Sequence, residues 1–137
     1  MKYELKSTRH AKYLLHAHLV FTPKYRKKIF TKAHLELMKE VFESVCKGMD
    51  SELVELDGER DHVHLLVLYP PRISIAVLVN SLKGVSSRML RKEFPEFKKA
   101  YWGDGLALWS RSYFAASVGG APIEILKQYI EQQDTPD

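Results

Sequence analysis

The stretch Arg60-Asp61-His62-Val63-His64-Leu65-Leu66-Val67-Leu68 constrains this chain more than any other. Its apolar end, closed by Pro70-Pro71, reads as a buried β-strand. Strand side chains alternate between faces, so His62 and His64 point one way while Val63, Leu65 and Val67 point the other. The result is a platform of two imidazoles. Such a pair holds one metal ion and leaves positions open for a third ligand and a substrate. The same spacing also describes two strand histidines that are simply hydrogen-bonded to their neighbours.

A second pair, His16 and His18, lies in residues 12–22, which are rich in aromatic and β-branched types and stop at Pro23. Spacing alone does not say which pair takes a metal. Directly after it, Lys24, Arg26, Lys27 and Lys28 surround Tyr25. This is either a solvated loop or a phosphate-contacting patch with a base-stacking tyrosine.

The remaining elements follow from periodicity and punctuation. Thr31 is an N-cap for a helix whose stripe is Leu35, Met38, Val41, Phe42, Val45 and Met49, and Gly48 marks its end. Residues 52–57 form a strand, and Asp57-Gly58 supplies turn chemistry before the histidine strand, making the two antiparallel neighbours. Ser74 opens a second helix with Ile75, Leu78, Val79, Leu82, Val85, Met89 and Leu90 as its buried stripe. Across from that stripe, Asn80, Lys83, Ser87 and Arg91, with Arg88 alongside, form a polar row that is either a wet face or a set of phosphate contacts. Residues 95–105 read as an irregular connection, 106–118 as a fourth strand closed by Gly119-Gly120, and 122–133 as a last helix with Pro122 at its first position. The order predicts an α+β, ferredoxin-like βαββαβ fold: a four-stranded antiparallel sheet with two helices on one face, plus an added C-terminal helix.

At 137 residues, with 28% charged and 45% hydrophobic content, the chain is expected to be one globular domain over 1–137, with 118–137 as hinge and terminal helix. No apolar run approaches the ~20 residues that cross a bilayer, and Met1-Lys2-Tyr3-Glu4-Leu5-Lys6 lacks a signal-peptide core, so a cytoplasmic protein without membrane contact is expected. The single cysteine, Cys46, excludes an internal disulfide and reads as a small core residue. A net charge of +4 permits nucleic-acid binding without requiring it.

Tyr129 falls on the last helix with Gln133 one turn further along the same face, and Ile123, Leu126 and Ile130 form the adjoining apolar stripe. Taken alone this is an amphipathic helix with a snorkelling tyrosine. The ensemble is more specific. Phe21-Thr-Pro-Lys-Tyr-Arg26, Asp61-His-Val-His-Leu-Leu66, Leu108-Trp-Ser-Arg-Ser-Tyr-Phe114, the Val118-Gly-Gly turn and Tyr129-Ile-Glu-Gln-Gln133 together resemble the single-tyrosine HUH transposases of the insertion sequence 200/605 family. The resemblance covers nearly the whole chain, in the family's order and spacing.

That resemblance implies metal-dependent cleavage and rejoining of single-stranded DNA through a 5′-phosphotyrosine. It makes Tyr129 the nucleophile and His62, His64 and Gln133 the ligands of Mg²⁺ or Mn²⁺. Gln132 is the neighbouring alternative to Gln133. His16 and His18 match no family ligand position and are left structural. The implied partners are single-stranded DNA hairpins at element ends and a second copy of the chain, in a homodimer whose tyrosine helix acts in trans. Lys24, Tyr25, Arg26, Lys83, Arg88, Arg91 and Arg111 are the expected DNA contacts. Two other functions remain open on the sequence: a ferredoxin-like nucleic-acid-binding module without chemistry, and a domesticated relative that acts on chromosomal hairpins.

Overall fold

In the computed structural model, residues 6–7, 12–101, 108–117 and 130–131 are described. Among them, β1 (Lys6–Ser7) and β2 (Lys12–Tyr13) pair as a small ribbon, and the main sheet is built from β3 (His16–Phe21), β4 (Glu52–Glu59), β5 (His62–Leu68) and β6 (Phe114–Ser117). The helices are α1 (Lys32–Gly48), α2 (Ile75–Glu93) and the short α3 (Pro95–Ala100). The sheet order is β4-β5-β3-β6, with every pairing antiparallel, so the two histidine-bearing strands lie in the middle. This is the expected α+β fold with a four-stranded antiparallel sheet. The expected C-terminal helix lies outside the described residues except for Ile130 and Glu131, which are helical.

One face of the sheet is the core. Leu19, Phe21, Val63, Leu65 and Val67 cluster there with Met38, Phe42 and Cys46 of α1 and Leu78, Val79, Leu82 and Leu90 of α2. Period-two alternation on the strands meets 3.6-residue stripes on the helices, which is why these positions converge. Burial pushes the Cys46 thiol up to about 12, so it stays protonated and inert, as a core cysteine should. Thr31 caps α1 reciprocally: its hydroxyl accepts from the His34 amide at 3.3 Å, and its own amide donates to His34 Nδ1 at 3.0 Å.

Four sequence expectations are corrected. Asp57-Gly58 is not the turn: β4 continues through Glu59, and the reversal falls at Arg60-Asp61. Gly58 is a packing glycine, since a Cβ there would lie 2.5 Å from Leu35 Cδ2 of α1. Residues 95–105 are not wholly irregular, because Pro95 starts α3, a position where its missing amide donor is harmless. Of the strand expected over 106–118, the described residues 108–117 are strand only at Phe114–Ser117. The segment before it is held by one side-chain and one backbone bond: Trp109 Nε1 donates to Ser86 Oγ at 2.9 Å, and the Ser110 amide donates to the Thr22 carbonyl at 2.8 Å. Finally, 12–22 is not one strand but splits at Leu14-Leu15 into β2 and β3.

A β-bulge between Leu53 and Glu55 explains how β4 serves both faces. Leu53 and Leu56 both pack against the core although they are three residues apart, and one extra residue restores their parity. The same bulge puts Glu55, Asp57 and Glu59 opposite Leu66, His64 and His62, on the imidazole side.

Candidate active site

The histidine strand does what alternation requires. His62 and His64 are half-buried on the face away from α1 and α2, while Val63 and Leu65 between and beyond them are fully buried. Each ring is held at one nitrogen. His62 Nδ1 lies 3.0 Å from Asp61 Oδ1, and an ionised carboxylate only accepts, so the ring proton sits on Nδ1 and Nε2 keeps its lone pair. His64 Nε2 lies 2.9 Å from Nδ1 of His18 on the neighbouring strand.

Burial lowers the His64 pKa from the usual 6.5, the positive charge available to His18 lowers it further, and Asp57 and Glu55 pull the other way. The ring is therefore neutral at physiological pH, the form that donates a lone pair to a metal. Burial alone would raise the Asp61 carboxyl, but hydrogen bonds from His62 and Arg26 together with the Arg26 charge bring it below its ordinary 3.8. Asp61 is thus ionised throughout the physiological range.

Asp61 is clamped in turn. Arg26 Nε donates to Asp61 Oδ2 at 2.7 Å, with both side chains largely buried. Arg26 sits at the end of a short 3-10 turn, Lys24–Arg26, and adopts φ 48° directly after Tyr25 at φ 63°. Two consecutive non-glycine residues in the left-handed region are strained, and the turn persists because its contacts hold it. Tyr25 packs against the core and under the Lys27 ammonium, which also donates to the Ala100 carbonyl. From this turn Arg26 reaches across 105 residues of sequence to donate to the Glu131 carbonyl at 3.4 Å. Glu131 lies between Tyr129 and Gln133 in the sequence, both of which are outside the described residues.

The basic residues divide by burial. Lys83 is not on a wet face: its ammonium donates to the carbonyls of Ser110 at 2.5 Å and Arg111 at 3.4 Å, anchoring the segment before β6. Ser87 and Arg91 of the same row are buried. Arg26 is committed to Asp61, and Tyr25 to the core. Arg88 and Arg111 are exposed, and Lys24 is half-buried.

Two contributors were not assigned from sequence. Asp61 stands next to His62, and a carboxylate beside a candidate ligand was a usable signal. His18 reads as structural from the sequence, because its contact with His64 depends on strand register, which no local pattern displays. Among the described residues no group of three His, Cys, Asp or Glu is placed to hold a metal ion. The two imidazoles on one strand face, one of them oriented by a carboxylate so that its Nε2 lone pair is free, are a donor pair that fits a divalent ion completed by a further ligand.

An α+β sheet that presents paired imidazoles supported by a buried Arg–Asp pair defines a class of site rather than a particular activity. Comparison with known proteins narrows it: the family model described as "Transposase IS200 like" matches residues 11–133, and the chain belongs to that family. It is 30% identical over 128 residues to the transposase for insertion sequence element IS200 of Salmonella typhimurium, covering 93% of this chain and 82% of that one. It is also 30% identical over 130 residues to the ISDra2 transposase TnpA of Deinococcus radiodurans, covering 95% and 91%. A crystal structure of a candidate transposase from Deinococcus radiodurans R1 superposes with a TM-score of 0.86 at 32% identity, covering 95% of this chain and 98% of that one. The structure of a REP-associated tyrosine transposase bound to a REP hairpin shares the fold at a TM-score of 0.56 and 8% identity, covering 92% and 69%. The chain is accordingly a transposase of the IS200-like family, and DNA processing is its class of activity.

Proposed function

We propose that this transposase cleaves and rejoins single-stranded DNA by transesterification, with Tyr129 as the nucleophile and His62, His64 and Gln133 as ligands of Mg²⁺ or Mn²⁺. The observation that carries the proposal is the run of contacts from His62 through Asp61 and Arg26 to the Glu131 carbonyl, which ties the imidazole platform to the sequence neighbourhood of Tyr129 and Gln133. Two imidazoles and one amide oxygen, with positions left for phosphate oxygens, suit either ion. When bound, the ion withdraws charge from the scissile phosphate and helps to fix it in line with the attacking oxygen.

The protein's own groups do the rest. Asp61 keeps the His62 Nε2 lone pair available, and Arg26 keeps Asp61 ionised and in place. The Tyr129 oxygen attacks phosphorus while its proton leaves to solvent. The bond from phosphorus to the 3′ oxygen breaks, and that oxygen takes up a proton as a free 3′-hydroxyl. The product is a 5′-phosphotyrosine, which retains an ester bond, so a second DNA 3′-hydroxyl reverses the chemistry onto a new strand without ATP.

A hairpin near the cleavage site is the proposed substrate form, supported by the fold shared with the hairpin-bound relative. Arg88 and Arg111, exposed, and Lys24, half-buried, are the proposed phosphate contacts. The working unit is proposed to be a homodimer that delivers Tyr129 to the partner subunit's metal site. Because the Arg26–Glu131 contact lies within one chain, delivery in trans requires that contact to open.

The test is a denaturing gel of purified protein incubated with Mn²⁺ and single-stranded DNA carrying the element's end hairpins. A covalent protein–DNA adduct is expected. Tyr129→Phe should abolish it while leaving DNA binding intact; an undiminished adduct in that variant would move the nucleophile elsewhere.

A further inference from the structure

His18 and His64 are diagonal neighbours across the two central strands: the register sets His18 opposite Leu66 and Val20 opposite His64. At that offset long or ring side chains on one face still touch. Their rings meet with centroids 5.0 Å apart and with His18 Nδ1 2.9 Å from His64 Nε2. Between two neutral imidazoles one nitrogen donates and the other accepts. If His18 were the donor, the single ring proton of His64 would sit on Nδ1, and His64 would have no lone pair left for a ligand. If His64 is the donor, its Nδ1 is unprotonated and available.

The other ring on the strand is already resolved in the second sense, since Asp61 accepts from His62 Nδ1 and frees Nε2. A paired platform functions only if both rings are set that way. We propose that His18 is the positioning residue for His64: its Nδ1 accepts from His64 Nε2–H and so holds His64 in the tautomer that offers Nδ1 to the divalent ion. His18 acts through His64 and not on the ion, because among the described residues no trio of His, Cys, Asp or Glu is placed around a common point. Asp61 and His18 thus perform the same task on successive rings, one with a carboxylate from the β4–β5 turn and one with an imidazole from β3. The inference rests on the metal-dependent reading above, but its first test does not need the metal.

Long-range ¹H–¹⁵N correlation spectra of the metal-free, ¹⁵N-labelled protein report which nitrogen of each histidine is protonated. The expected result is His64 protonated at Nε2, with mixed tautomers in His18→Ala. His64 protonated at Nδ1 in the wild-type chain would overturn the proposal. Mn²⁺ titration provides the second arm: His18→Ala should weaken binding about tenfold, the low end for loss of an orienting partner. His18→Asn, whose amide oxygen takes the place of Nδ1 as acceptor, should recover most of it. Equal Mn²⁺ affinity in wild type, His18→Ala and His18→Asn would also overturn the proposal. A wild-type chain that binds no Mn²⁺ would defeat the metal-dependent function itself, and the tautomer of His64 would then decide the role of His18.

Discussion

On β5, Val63, Leu65 and Val67 are sealed against α1 and α2, whereas His62 and His64, one residue out of step on the same strand, stay half-open on the other side. The two faces are made of the same backbone and differ only in parity. The contrast is local, because on the same face Val20, opposite His64, is buried, and so are Leu66, Leu68 and His16 further along. The polar part therefore gathers next to the β4–β5 turn, where Asp57, Glu59 and Asp61 surround the rings. One face stores stability and this corner holds the proposed metal site. A strand achieves that separation cheaply, since neighbouring side chains point to opposite faces.

Because the two faces are separate, damage on one should leave the other intact. The largest effect is expected from Leu65→Ala, which removes a fully buried side chain and should lower unfolding free energy by about 2–5 kcal/mol in urea titrations. Adduct formation per folded molecule should be unchanged, and a further drop would show that the faces are coupled. Asp61→Asn probes the opposite corner. Mn²⁺ affinity and adduct yield should fall about 10–100-fold through loss of the carboxylate that orients His62. The thermal midpoint should move far less than in Leu65→Ala, and a collapse of stability instead would make Asp61 a structural residue first.

A smaller effect is expected at Gly58, where β4 passes under α1. Gly58→Ala should cost about 1 kcal/mol, measured by the urea midpoint, because Leu35 must give way to the new methyl. An unchanged or raised midpoint would show that Leu35 swings aside freely.

The smallest effect is the response to acid. The folded pKa of His64 lies below 6.5, so the unfolded chain binds more protons there, and stability should decline as pH falls from about 6.5 through the folded value. Asp61, lowered from 3.8, adds stability that is present above that value and is lost as pH falls further. Urea midpoints across pH 3–8 in chelator should show both limbs, and His64→Gln should reduce only the upper one, with His16, also lowered by burial, supplying the remainder.

Much of this was legible from local chemistry. The strand His62–Leu68, the caps at Thr31 and Ser74, the helical stripes and the βαββαβ order all follow from periodicity and turn residues, and the structure carries them. Errors arose where a local signal had two physical causes. Asp57-Gly58 has the composition of a turn, but Gly58 answers to the approach of α1, a neighbour distant in sequence. Lys83 falls on the polar side of a helical wheel, yet a segment 27 residues further on folds over it and offers its carbonyls. The wheel registers what a helix presents, not what later covers it.

The site divides along the same line. That two imidazoles share a face is a consequence of the two-residue repeat of any strand, and no other part of the chain is needed to establish it. That His62 is braced by Asp61 and Arg26, that Arg26 also touches the Glu131 carbonyl, and that His18 meets His64 are consequences of which strands pair, in what register, and where a strained turn is pinned. Side-chain direction is a local property of the backbone, whereas hydrogen-bond partnership across 35, 46 or 105 residues exists only after the sheet has closed.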